Sequence, residues 1–68
     1  MDIQKEEAFF GYCFDKAGRY GQPDRLIGAA AAVAFMKQHM GAYSRIVVTD
    51  EEDEIVMESV GGILVWPK

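Results

Sequence analysis

The stretch Glu54-Ile55-Val56-Met57-Glu58-Ser59-Val60-Gly61-Gly62-Ile63-Leu64-Val65-Trp66-Pro67 decides how the C-terminal third folds. Two apolar, β-branched runs flank a Gly-Gly pair. Both glycines can take positive φ, which a two-residue hairpin turn of the twisted type requires. Strands are therefore predicted over about 54–60 and 63–66, with Pro67 ending the second. The turn fixes a register: Val60 opposite Ile63, Ser59 opposite Leu64, Glu58 opposite Val65 and Met57 opposite Trp66. One face then carries Ile55, Met57, Leu64 and Trp66. The other carries Val56, Val60, Ile63 and Val65. A sheet with one solvated face alternates apolar and polar residues, and this hairpin is mostly apolar on both sides.

Upstream, Arg45-Ile46-Val47-Val48-Thr49 has strand composition and predicts a strand over 45–49. The acidic run Asp50, Glu51, Glu52, Asp53 and Glu54 separates it from the next strand. Together these segments predict a three-stranded antiparallel meander.

Helices are expected before it. Pro23 and Asp24 suit the first turn of a helix, and the alanine-rich segment that follows favours one strongly. This helix is expected over about 23–40, stopping at Gly41. Leu26, Ala30, Val33 and Met40 make its first apolar stripe. Gly28, Ala32 and Phe35 lie on another side, small enough for a second backbone to approach. A first helix is expected over about 3–17, capped by Asp2 and stopped by Gly18, with Ile3, Phe10, Cys13, Phe14 and Ala17 on one stripe. Its aromatic run and mid-helix Gly11 also admit the alternative of a strand over 8–14, with Asp15-Lys16-Ala17-Gly18 as a hairpin turn. The expected class is α+β: two N-terminal helices packed on one face of a three-stranded antiparallel meander, in a single domain.

Size and charge narrow the functions. A chain of 68 residues with one cysteine, Cys13, forms no internal disulfide. Domains this small bury only about 60% of their unfolded surface, so association is an available source of further stability. One Cys and one His (His39) do not make a zinc site alone, and no metal or other cofactor is expected. The net charge of −4 and seven scattered basic residues argue against direct nucleic-acid or anionic-membrane binding. The polar N-terminus has no secretory character, and a cytoplasmic location is expected.

The remaining patterns suggest three functions. The excess apolar surface points to a non-catalytic interaction or regulatory module, self-associating as a homodimer or binding a protein partner. Its expected interface is Gly28, Ala32, Phe35, Val56, Val60, Ile63 and Val65. The five acids Asp50 to Glu54 suggest an alternative, a decoy that engages a basic nucleic-acid-binding partner. They lack the glycine that a calcium loop needs, since Ile55 stands at its place. A third reading is a small-ligand binder or enzyme using His39. That reading requires a pocket in which His39 meets carboxylates. Gly18-Arg19-Tyr20-Gly21 lacks the grammar of a phosphate loop and reads as a turn.

Overall fold

A computed structural model describes residues 7–67. Among these, one helix packs on a five-stranded antiparallel sheet. The elements are β1 (Ala8–Phe14), β2 (Asp24–Ile27), α1 (Ala29–His39), β3 (Arg45–Thr49), β4 (Ile55–Val60) and β5 (Ile63–Trp66). The strands lie in the order β2-β1-β3-β4-β5.

The C-terminal meander is present with bounds within one residue of those expected, as β3, β4 and β5. The N-terminal half differs. No helix spans 8–17. The alternative holds instead: residues 8–14 are β1, and Asp15 to Gly18 turn the chain. Asp15 Oδ1 accepts the amides of Ala17 and Arg19, and the Gly18 amide donates to the Asp15 carbonyl. The expected cap Asp2 and the stripe residue Ile3 lie outside the described residues.

The strand prevails because alternation serves both faces of the sheet. Phe9, Gly11 and Cys13 face α1, whereas Phe10, Tyr12 and Phe14 face away. Phe9 is buried in the core, while Phe10 and Phe14 are on the open face, the reverse of the helical stripe's assignment. A helical period had collected Phe10, Cys13 and Phe14 by coincidence.

The second expected helix begins too early. Asp24 to Ile27 pair with the free edge of β1, Ala8 opposite Ile27 and Gly11 opposite Asp24. Gly28, at φ 91°, then turns the chain directly from strand to helix, and its amide donates to the Glu7 carbonyl at 2.8 Å. Few residues other than glycine adopt that angle. The helix ends one residue short of the expected Met40, which caps it.

Ala32, Phe35 and Met36 are the buried face of α1, against Phe9, Ile46 and Val48. Val33, on the first apolar stripe, is exposed. The small-residue side of the helix is thus used by the protein's own sheet. An 11-residue helix spans about 16 Å, and α1 packs across β1, β2 and β3. The β4–β5 hairpin extends past it. Ser44 ties the two halves together: its hydroxyl donates to the carbonyls of Phe14 and Asp15, and its own carbonyl accepts the Gly61 amide.

Candidate functional site

Residues directly opposite one another on neighbouring strands share a face. The register therefore sorts the whole sheet. On the helix side, Gly11, Val48 and Met57 form one row; Cys13, Ile46, Ser59 and Leu64 form the next. On the other side three rows cross the sheet. They are Phe10-Thr49-Ile55, Tyr12-Val47-Glu58-Trp66 and Phe14-Arg45-Val60-Ile63. No described element covers these rows.

Two bulges build this face. One lies where Thr49 pairs with Ile55 while Val48 pairs with Met57, leaving Val56 as the extra residue. The other lies where Glu58 pairs with Trp66 and Ser59 with Leu64, leaving Val65 extra. Each bulge shifts alternation by one. Glu58 is therefore opposite Trp66, not Val65, and Met57 is not opposite Trp66. Ile55 and Trp66 move to the open face, away from Met57 and Leu64. The first turn pair follows expectation, with Gly61 at φ 62° and Gly62 at φ 83°.

The open face is apolar at both ends. Tyr20 packs against Tyr12 and Phe14, with ring centroids 5.6 and 4.9 Å apart. At the other end Ile55, Val60, Ile63 and Trp66 are each more than 40% exposed. Between them Arg45 Nε donates to Glu58 Oε2 at 2.8 Å, and the guanidinium carbon lies 5.2 Å from the Phe14 ring centre. The face carries its own counter-charge at its middle. Val47 and Thr49 are buried beneath these side chains.

Of the interface expected from sequence, Val60, Ile63 and Val65 are exposed on the β4–β5 hairpin. Val56 is half-buried and packs against the core. Ala32 and Phe35 are buried between α1 and the sheet and form no outward face for a partner, Phe35 reaching only the cleft at the end of α1, and Gly28 serves the strand-to-helix turn. The sequence reading puts Ile55 and Trp66 together, but with Met57 and Leu64 and not with Val60 and Ile63, whose face they share in the sheet. The bulges that bring Ile55 and Trp66 there have no local sequence signal.

The acidic run is a turn. Asp50 Oδ1 accepts the amides of Glu52 and Glu54, and Asp53 takes φ 68°. Glu51, Glu52 and Glu54 are exposed.

Cys13 and His39 line the same cleft, of about 330 Å³, between the end of α1 and the β1–β2 connection. Asp15, Asp24 and Tyr43 also line it. Burial, and secondarily the Asp24 charge, push the Cys13 thiol above its ordinary range. It is held as the neutral thiol, the opposite of an activated nucleophile. No cluster of three potential metal-ligating side chains occurs among the described residues. No helix among them is long and apolar enough to cross a membrane.

No protein-family model, curated protein or solved structure matches the chain.

Proposed function

We propose that this protein is a non-catalytic interaction module that self-associates through the open face of its sheet. The observation that carries the reading is the face itself: three cross-strand rows, aromatic at one end, aliphatic at the other, with no covering element. Exposed apolar surface on this scale marks an interaction site.

A second copy is the occupant these features favour. A two-fold arrangement lays the aromatic end of one protomer over the aliphatic end of its partner, so the same patch serves both. The Arg45–Glu58 pair leaves the middle of the face electrically balanced, which favours neither a basic nor an acidic partner. Pairing along the β5 edge is less favoured. That strand is four residues long, bulged at Val65 and followed by Pro67, devices that blunt an edge. A standard interface takes about 800 Å² from each partner, roughly a sixth of the 5028 Å² this chain exposes.

Sedimentation equilibrium at micromolar concentration tests the reading. The expected mass is twice the 7.6 kDa of one chain. Ile63→Glu with Trp66→Glu is expected to return the monomer with its circular dichroism unchanged, since both residues are solvent-exposed. A wild-type monomer would remove the reading.

A further inference from the structure

The cleft around Cys13 and His39 lies on the helix side of the sheet and shares with the face proposed to self-associate only Tyr20, at the edge between them. Its parts have distinct origins. Gly11 and Cys13 are its floor, on β1. Phe35 and His39 sit one helical turn apart, ring centroids 4.7 Å from each other, and Tyr43 extends the row with its ring 5.9 Å from His39. The Arg19 to Gln22 connection is the outer wall. Asp24, opposite Gly11 in the register, presents its side chain on this side of the sheet.

The two carboxylates of the cleft are not equivalent. Asp15 is engaged: Oδ1 accepts two amides and Oδ2 lies 3.6 Å from Arg19 Nε. Asp24 has no hydrogen bond or ion pair from its side chain among the described residues. Among the described residues the cleft therefore holds one unpaired carboxylate near the exposed ring of Tyr43, with His39 next to it and the largely buried Phe35 behind. An aromatic face attracts a cation through its quadrupole, and a neighbouring carboxylate adds to that attraction. The volume is at the lower end of the range for small-molecule sites, about 300 Å³. The chain's net charge of −4 raises the local concentration of cations.

We propose that this cleft binds a small organic cation, an ammonium group on a short aryl or alkyl body, with Asp24 as counter-charge and Phe35, His39 and Tyr43 as the wall. The absence of three clustered metal-ligating groups disfavours a metal ion, and the charge disfavours an anion. The neutral Cys13 thiol gives a soft, uncharged floor that does not compete with Asp24 for the ligand.

The test is a titration of the 68-residue chain followed by ¹⁵N NMR. The probes are phenethylamine, the neutral 2-phenylethanol and the anionic phenylacetate. Phenethylamine is expected to give saturable shifts at Gly11, Asp24, His39 and Tyr43, with a dissociation constant of roughly 1 mM or tighter. Asp24→Asn and Tyr43→Leu, both at exposed positions, are each expected to weaken it about tenfold with an otherwise unchanged spectrum. The proposal is overturned by the absence of saturable shifts, by equal binding of the alcohol or the acid, by shifts confined to the open sheet face, or by unchanged affinity in Asp24→Asn. Self-association is read separately from mass, so failure of either proposal leaves the other standing.

Discussion

Phe35 occupies the space that a side chain at residue 11 would need. A Cβ on Gly11 would stand 2.3 Å from Phe35 Cε2 and 2.6 Å from Cζ, well inside contact distance. The bare backbone of β1 is thus what lets the largest core ring of α1 approach the sheet. Gly11→Ala is expected to destabilise the protein by about 1–3 kcal/mol through overpacking. Adding Phe35→Leu to it should recover part of the loss, because the two sites share one contact. Urea denaturation of the single and double variants measures this. Glycine within a strand is intrinsically unfavourable, so a stability gain from Gly11→Ala would contradict the packing.

The β4–β5 turn depends on two left-handed glycines. Gly62→Ala is expected to cost about 1–2 kcal/mol, from the strain of positive φ on a residue with a Cβ. Gly61→Asn should be milder, since asparagine tolerates that region. Thermal unfolding compares the two, and equal losses would argue against the turn geometry.

Ser59 is fully buried on the helix side of β4, and its hydroxyl has no hydrogen-bond partner among the described residues. A buried hydroxyl without a partner is a cost to folding. Ser59→Ala is expected to raise stability by about 1 kcal/mol, seen as a higher denaturant midpoint with an unchanged slope. A lower midpoint would mean the hydroxyl is satisfied.

The Cys13 thiol ionises above its ordinary range, through burial first and the Asp24 charge second. The folded state therefore keeps its proton at a pH where the unfolded chain has begun to lose it. Stability contributed by the protonated thiol is full below the unfolded value and lost as pH rises through the folded one. Alkylation of Cys13 by iodoacetamide is expected to be slow at neutral pH and to accelerate only in alkaline solution. Asp24→Asn should shift that profile partway toward lower pH. A profile unchanged by Asp24→Asn would remove the electrostatic contribution.

What was legible in the sequence follows the range of the interactions. The Gly61-Gly62 turn and the apolar run of 45–49 are local signals, and β3, β4 and β5 lie where they placed them. The first pairs of the hairpin, Val60–Ile63 and Ser59–Leu64, follow from the turn alone. The fate of 8–14 and 24–27 was not local. Asp24-Arg25-Leu26-Ile27 has little strand character by itself and becomes β2 because β1 offers it an edge. The excess of apolar surface was readable, but its location was only partly so. Ala32 and Phe35 look available when 8–14 is taken as a helix, the reading preferred over its strand alternative, because the strand is what covers them. Trp66 and Ile55 reach the open face only through bulges whose cause is the pairing of whole strands. Cys13 and His39 line one cleft because the end of α1 lies over the face of β1 that carries Cys13.

Trp66, the chain's one tryptophan, lies on the open face, is 46% exposed in the single chain, and so reports directly on whether a second copy covers that face. Its fluorescence emission and acrylamide quenching would be followed as the protein is diluted from micromolar to nanomolar concentration. If a second copy covers the face, Trp66 is expected to be blue-shifted and protected from quencher when concentrated, and to become red-shifted and accessible on dilution, in step with the fall in mass. Emission and quenching that stay those of a half-exposed tryptophan at every concentration would contradict the account.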